Sequence, residues 1–354
     1  MAKKIFAPVD RMISIRIFFI LPVPWCTYSQ TEAAVGREHI NQKDIEAFAE
    51  ARVNLPYDKA LELRAQASRL RDRLSAYLSE HPEFTLRKML LSGSLAKRTA
   101  LASLNDIDVA CYISGADAPQ DTRRLLDYLA ERLRKAFPNF TADQVRPQTY
   151  SVTVSFRSTG LDVDVVPILY NGDPDWYGNL ISQDDGSFLE TCIPRHLEFA
   201  KKRRDTSADF AQVVRLAKHW AQRQKQSGEI PRFKSFMIEL IFAKLCDEGL
   251  NFADYTEALQ SFFTYIVRTG LRERIVFSDY YASSDVPASS SPVQIIDPVN
   301  ANNNVARLYA KSDADAIVRA AMDAGDAIDS ALHALTKSET IRYWQKVFGS
   351  TFPG

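Results

Sequence analysis

Two aspartates separated by one residue, Asp106 and Asp108, are the side chains with the clearest capacity for chemistry. They lie in the segment Leu104–Ala110, whose alternation is typical of a β-strand. Successive strand side chains point to opposite faces, so both carboxylates project together while Ile107 and Val109 project to the other face. Neighbouring carboxylates repel each other unless a cation lies between them, and hard oxygen ligands favour Mg²⁺. The pair therefore predicts a magnesium site.

A glycine-serine turn, Gly93-Ser94, precedes this strand. Glycine lets the backbone approach a ligand closely, and N–H groups at a helix start favour a phosphate. The Ser94 hydroxyl adds one more hydrogen-bond donor. The turn thus predicts a site that holds a triphosphate beside the metals.

A two-metal site for phosphoryl transfer needs a third carboxylate, and a hairpin downstream supplies candidates. Val152–Phe156 alternates as a strand, and the turn Ser158–Gly160 leads into a return strand. Asp162 and Asp164 share one face of that return strand. If the two acidic strands are neighbours, they present four carboxylates on one face of the sheet.

Three further spots lie in the second half of the chain. Lys218 stands on an amphipathic helix, Ser235 stands at the start of the next helix, and Asp297-Pro298 marks a turn. From the sequence alone, each is more typical of structure than of chemistry: an exposed lysine, an N-terminal serine and a chain reversal.

The elements that position these residues follow from apolar periodicity. Strand, helix and hairpin succeed one another up to residue 193 and predict a small mixed sheet with helices packed on it, whereas the chain from residue 194 is nearly all helical. We therefore predict an appended or disordered segment 1–38, a core 39–193 and a helical domain 194–354. The predicted helices are Asn41–Arg52, Pro56–Glu80, Thr122–Phe137, Phe199–Arg204, Ala208–Gln226, Phe233–Glu248, Ala253–Val267, Asp313–Leu335 and Ser338–Phe348.

Composition narrows the class of protein. The 44 lysines and arginines equal the 44 aspartates and glutamates, which argues against a constitutively basic nucleic-acid binder. The densest basic cluster, Lys201–Arg204, is either a solvated face or a local polyanion site. The four cysteines are scattered without zinc or disulfide spacing, which fits a reducing cytoplasm. The apolar run Ile13–Leu21 is too short to span a bilayer, which needs about 20 residues.

Taken in order, these motifs resemble the signature of the DNA polymerase β-type nucleotidyltransferases. The signature comprises Gly93-Ser94, then Asp106-Ile107-Asp108, then an acid directly before Val165-Val166-Pro167, which points to Asp164. Asp162 is then an auxiliary acid or a neighbour. The resemblance implies an α/β (α+β) fold: a polymerase β-like nucleotidyltransferase core with a mixed sheet, plus a C-terminal helical lobe that completes the nucleotide cleft.

Within that superfamily the chain resembles the branch of cyclic GMP-AMP synthase, the oligoadenylate synthetases and the bacterial CD-NTases, and it is identified as a member of CD-NTase clade C. The motifs are Val53–Pro56, Leu104–Ala110 and Tyr343–Gly349. The resemblance implies that Asp106, Asp108 and Asp164 hold two Mg²⁺ ions. It also implies that Gly93, Ser94, Lys218 and Ser235 bind the donor triphosphate and that Phe236 stacks on a base. The turn at Asp297 is another mark of the branch, which we interpret as structural.

The clade implies a cytoplasmic enzyme of CBASS antiphage defence that does not associate with a membrane. It joins ATP molecules into a cyclic oligonucleotide, here cyclic tri-AMP. The clade also implies a HORMA-domain activator, an AAA+ remodelling ATPase, double-stranded DNA as a contributor to activation, and an endonuclease effector. Two departures are segment 1–38 and the missing zinc-binding thumb of the animal DNA sensor. Two alternatives stay open: a linear oligoadenylate synthetase and a catalytically silent nucleotide-binding scaffold.

Overall fold

The computed structural model describes residues 35–80, 86–104, 106–114, 122–182 and 185–353. Most of the predicted appended segment, 1–38, lies outside the described residues. The described chain begins with a one-turn helix, Gly36–His39, just before the predicted boundary at residue 39. Gly36 packs on another part of the fold, because a Cβ there would lie 1.9 Å from the Ala331 carbonyl oxygen.

The regular elements in the described ranges alternate between strand and helix in the first half and are mainly helical in the second. The helices are α1 Gly36–His39, α2 Gln42–Phe48, α3 Tyr57–Glu80, α4 Gly93–Ala96, α5 Thr122–Ala136, α6 Ile193–Thr206, α7 Phe210–Gln226, α8 Ser235–Asp247, α9 Tyr255–Thr269, α10 Lys311–His333 and α11 Lys337–Phe348. The strands are β1 Leu86–Leu91, β2 Asp106–Ile113, β3 Val145–Pro147, β4 Val152–Phe156, β5 Leu161–Tyr170, β6 Gly178–Ile181, β7 Phe188–Thr191, β8 Ile296–Asp297 and β9 Asn300–Asn304.

The predicted helices are confirmed, and all but one begin and end close to their predicted residues. The helix predicted over Asn41–Arg52 is α2 continued by a π-helix, Ala49–Val53. Asn41 caps α2 with a capping box shared with Asp44, as its residue type favours. The exception is α6, which begins at Ile193 rather than Phe199, with Pro194 in its first turn, where the missing N–H of proline carries no penalty. Of the nine strands in the described ranges, only β2, β4 and β5 were predicted. Apart from β1, the others have five residues or fewer: β3, β6, β7, β8 and β9.

Seven strands form one sheet in the order β1-β2-β5-β4-β3, with β6 paired to β5 and β7 paired to β6. Strands β2 and β5 run parallel, whereas the other neighbouring pairs are antiparallel. Strands β4 and β5 form the predicted hairpin. The sheet is therefore mixed, as predicted, and its one parallel pair is the pair that carries the aspartates.

Two large hydrophobic cores and one small cluster, Ala110, Tyr112 and Ile168, hold the described chain together. The first lies between the sheet and helices α3 and α5, where Ile107, Val163 and Leu129 are fully buried. The second is built from α6 to α11. The segment around Ile45 and Phe48 of α2 also belongs to the second core, although it precedes the sheet in the sequence. Among the described residues, no helix combines the length and apolar character that crossing a membrane requires.

The basic cluster Lys201–Arg204 is largely engaged in internal contacts. Arg203 is buried, and its guanidinium donates to Asp247 at 2.6 Å and to Asp279 at 2.8 Å. The Arg204 guanidinium donates to the Lys97 backbone oxygen at 2.6 Å. These contacts tie α6 to its neighbours, so half of the cluster has a structural role rather than facing a polyanion.

Candidate active site

The parallel pair β2 and β5 places the four aspartates in register. Asp106 is opposite Asp162, and Asp108 is opposite Asp164. The intervening Ile107 is fully buried on the opposite face, whereas the aspartates remain partly accessible. The predicted acidic face of two neighbouring strands is thus present, and it forms because β2 and β5 are adjacent in the sheet although they are far apart in the sequence.

The acidic face carries charge that the fold does not neutralise. Burial and the charge of Asp164 raise the pKa of Asp106. Burial and the charges of Asp106 and Asp164 raise the pKa of Asp108 to about 6, against the lowering effect of Lys97. Acids with raised pKa values at one site are typical of a functional centre, where a bound cation would stabilise the ionised carboxylates.

The Gly93-Ser94 turn packs directly on one of these acids. The backbone N–H of Ser92 donates to the Asp108 carbonyl oxygen at 2.8 Å, and Gly93 follows with a φ of 62°. A Cβ at Gly93 would lie 1.8 Å from Asp108 Oδ2. Glycine is therefore required here twice, once for its left-handed backbone and once for the space that the carboxylate occupies.

A threonine that the sequence analysis did not single out orients the third acid. Thr153 on β4 is the cross-strand partner of Asp164, and its hydroxyl donates to Asp164 Oδ1 at 2.5 Å. Thr153 is buried, so this hydrogen bond is shielded from water. The contact fixes one carboxylate oxygen of Asp164 and leaves the other available to a ligand.

The opposite side of the site is basic, and Lys218 of α7 is its buried centre. Its ammonium donates to Glu239 Oε1 at 2.6 Å and to Thr99 through Oγ1 at 2.9 Å and the carbonyl oxygen at 3.1 Å. Lys97 donates to Glu239 Oε2 at 2.5 Å. Burial lowers the pKa of Lys218, although Glu239 opposes that effect. Neither Lys97, Thr99 nor Glu239 was predicted as a site residue.

A cavity of about 310 Å³ opens beside these groups, in the size range of small-ligand sites. It brings together four predicted residues: Ser94, Asp106, Lys218 and Ser235. The predicted residues Gly93, Asp108, Asp164 and Phe236 are not part of its wall. The wall is formed by Ser94, Thr99, Leu101, Ser103, Leu104, Asp106, Lys218, Ala221, Gln222, Lys225, Phe233, Ser235 and Ile238.

The aromatic rings near the cavity divide into two groups. Phe236, predicted to stack on a base, packs edge-on against His196 at 5.5 Å between ring centroids, and the Lys97 ammonium lies 4.6 Å from its centroid. Phe233, three residues earlier, is the aromatic ring that lines the cavity.

The turn at Asp297 is held by internal hydrogen bonds. The Asp297 carboxylate pairs with His196 at 2.7 Å, and it also accepts a hydrogen bond from Asn303.

The acidic face fits a magnesium site in the kind of donors it offers. Asp106, Asp108 and Asp164 contribute carboxylate oxygens, the ligands that Mg²⁺ prefers. Burial and the repulsion between neighbouring aspartates raise the pKa values of Asp106 and Asp108, and a bound cation would oppose both effects. Within the described ranges, no three acidic, histidine or cysteine side chains already converge as a coordination sphere.

Comparison with known proteins gives strong similarities along most of the chain. It is 66% identical over 321 residues to a cyclic AMP-AMP-AMP synthase of Escherichia coli strain MS 115-1, which covers 90% of this chain and 100% of that protein. It is 35% identical over 305 residues to a CBASS oligonucleotide cyclase, CdnC, of E. coli strain KTE188, covering 85% and 93% of the two chains. No protein-family model matches the chain.

Two solved structures of CdnC from E. coli MS115-1 share the fold. The structure with ATP is 65% identical with a TM-score of 0.86, and it covers 89% of this chain and 100% of its own. The structure of CdnC in complex with HORMA-deltaN is 64% identical with a TM-score of 0.85, covering 90% and 99%. Each structure thus covers about nine-tenths of this chain.

Proposed function

Because the chain belongs to the CdnC-like CD-NTases of CBASS and is a nucleotidyltransferase, we propose that it joins ATP molecules into cyclic AMP-AMP-AMP and releases pyrophosphate. The observation that carries this proposal is the register of β2 with β5, which brings Asp106, Asp108 and Asp164 onto one face of the sheet, with Asp106 also in the cavity wall. The relative that is named for this product is similar along its full length.

We propose that Asp106, Asp108 and Asp164 hold two Mg²⁺ ions, in keeping with the general use of divalent metals in this family. The ions, when bound, would neutralise the triphosphate and lower the pKa of the attacking ribose hydroxyl. Asp164 is our candidate to accept the proton of that hydroxyl, which is supported by the carboxylate oxygen that the hydrogen bond from Thr153 leaves available. Ser94 and Ser235 bind the triphosphate from the cavity wall. Lys218 lies in the same wall and contributes its positive charge, since Glu239 and Thr99 accept its three hydrogen bonds.

Charge and position account for the catalysis in this proposal. A phosphoryl group in transfer needs its charge stabilised and its attacking and leaving oxygens aligned. The acidic face supports metal binding on one side, and Lys218 supplies positive charge on the other. Three successive transfers, the last of them closing the ring, give the cyclic product.

We propose a HORMA-domain protein as the partner of this chain, because the similar CdnC was solved in complex with HORMA-deltaN. The resemblance to the clade supports further components: an AAA+ remodelling ATPase, double-stranded DNA as a contributor to activation, and an endonuclease effector. A cytoplasmic location follows from the proposed substrate, since ATP is a cytoplasmic metabolite.

The test is to incubate the protein with Mg²⁺ and all four labelled nucleoside triphosphates, with and without a HORMA-domain protein and DNA. Products are analysed by mass spectrometry after phosphatase treatment. We expect a phosphatase-resistant product with the mass of three adenylates. Chains that the phosphatase digests would identify a linear oligoadenylate synthetase, and bound nucleotide without any product would identify a silent scaffold.

A matched pair of variants tests the assignment of the third acid. Asp162 and Asp164 lie on the same strand and the same face, but only Asp164 is held by Thr153. We expect Asp164→Asn to abolish synthesis and Asp162→Asn to retain most of it. Equal loss in both variants would show that the whole acidic face, rather than the triad, is required.

A further inference from the structure

Glu239 is a buried carboxylate that the proposed mechanism does not use. It lies on α8 one helical turn after Ser235, and only 8% of its surface is exposed. An isolated carboxylate at such a position would be strongly unfavourable, so its partners explain why it is tolerated. These partners lie on two other segments of the chain, the loop after α4 and helix α7.

The contacts of Glu239 fix two ammonium groups at once. Oε1 accepts hydrogen bonds from Lys218 Nζ at 2.6 Å and from the Thr99 hydroxyl at 2.7 Å, and Oε2 accepts from Lys97 Nζ at 2.5 Å. Lys218 has three N–H groups, and its contacts with Glu239 and Thr99 account for three hydrogen bonds. The position of Lys218 is therefore set by Glu239 and Thr99 together.

The charges around Lys218 favour the same role for Glu239. Lys97 and Arg215 both lower the pKa of Lys218, in addition to its burial, and Glu239 opposes them. Lys218 and Lys97 in turn lower the pKa of Glu239 to about 2 although burial raises it, so Glu239 is ionised at neutral pH. Without its negative charge, the buried ammonium of Lys218 and the half-buried ammonium of Lys97 would lack their shared partner, and Lys218 would lose its proton more readily.

We propose that Glu239 is a positioning residue that holds the ammonium groups of Lys218 and Lys97 in place for the donor triphosphate. The inference rests on the proposed function, because it takes the cavity beside Lys218 as the triphosphate site. The net charge of the three side chains is then one positive charge, held at a fixed position. An exposed lysine would supply the same charge without the same geometry.

The test compares Glu239→Gln with Glu248→Gln, a matched control. Glu248 follows the same helix and pairs with Lys244 at 2.6 Å on the surface, away from the cavity. Binding of ATP and of adenosine, which has no phosphates, is measured by calorimetry with Mg²⁺ between pH 7 and 9. We expect E239Q to weaken ATP binding by about 10- to 100-fold, the equivalent of one hydrogen bond to a charged group, and adenosine binding to be unchanged.

The pH dependence separates positioning from a merely structural role. In E239Q the loss of ATP affinity should grow as the pH rises, because Lys218 then deprotonates, whereas E248Q should follow the wild-type protein. Should E239Q fail to fold, Lys97→Met gives a second test, because it leaves the Lys218–Glu239 pair intact and should weaken ATP binding while sparing adenosine. ATP binding by E239Q as tight as or tighter than wild type would overturn the inference, as would unchanged binding by K97M. Absence of ATP binding by the wild-type protein would instead refute the proposed function.

Discussion

The acidic face makes a prediction about stability that can be measured without any substrate. The pKa of Asp108 is raised from 3.8 to about 6, so the folded protein binds a proton there more readily than the unfolded chain does. The free energy of unfolding therefore falls as the pH rises through this window. Since one pKa unit corresponds to about 1.36 kcal/mol, the ionised Asp108 costs the folded protein about 3 kcal/mol at pH 8.

Asp108→Asn removes this charge at nearly constant volume. In EDTA, we expect the variant to be more stable than the wild-type protein by about 3 kcal/mol at pH 8 and by about 1.5 kcal/mol at pH 5, where the wild-type carboxyl is already mostly protonated. Urea unfolding followed by circular dichroism at both pH values gives the two differences. Asp326→Asn, an exposed change on α10, is the control and should shift stability little at either pH.

Magnesium supplies the second arm of the same experiment. An ion that binds only the folded state stabilises it by mass action, so Mg²⁺ should raise the unfolding midpoint of the wild-type protein more than that of D108N. At pH 8, the difference in the free energy of unfolding between D108N and the wild-type protein should therefore be smaller with Mg²⁺ than in EDTA. The reasoning would be refuted if D108N were less stable than wild type in EDTA at pH 8, or if its gain were the same at pH 5.

Two further substitutions test how the acids are held. Gly93→Ala should abolish product formation, because its Cβ would displace the Asp108 carboxylate. Gly160→Ala is the control: Gly160 has a similar φ of 66°, and no atom lies within 4 Å of the added Cβ, so this variant should retain synthesis and lose only about 1 kcal/mol of stability through backbone strain. Equal activity of the two variants would contradict this explanation. Thr153→Val should lower the turnover number about tenfold and raise the Mg²⁺ concentration needed, since it removes the donor to Asp164, while Thr153→Ser should restore both. A T153V enzyme with wild-type magnesium dependence would show that the hydroxyl has no part in holding the carboxylate.

Local periodicity explains why so much of the fold was predictable. The alternation in β2 and the apolar stripes of helices such as α5 are properties of a few adjacent residues, and they identify each element without its neighbours. The same alternation predicts that Asp106 and Asp108 project from the same face of β2. The short strands β6 and β7 lack enough residues to show a period, so their positions depend on pairing with β5.

Contacts between distant segments could not be predicted in the same way. In the sequence, Thr153 is an ordinary polar residue of a predicted strand. Its role depends on the register of β4 with β5, which pairs it with Asp164. Glu239 and Thr99 are 140 positions apart in the sequence, and only the packing of α8 on the loop after α4 brings them together. Lys218 was predicted as a triphosphate ligand, but no local pattern in the sequence indicates the carboxylate that holds it.

The segment from Gly93 to Thr99 connects the two charged sides of the site. At its start Gly93 packs on Asp108, and at its end Lys97 and Thr99 bind Glu239. A triphosphate that binds along this segment meets the acidic face at one end and the ammonium groups at the other. Any displacement of the segment changes both sides together, because both contacts are tightly packed: Gly93 approaches the Asp108 carboxylate closely, and the hydrogen bond from Thr99 to Glu239 is buried. The acidic face and the lysines therefore behave as one site, which is the arrangement that the proposed phosphoryl transfer requires.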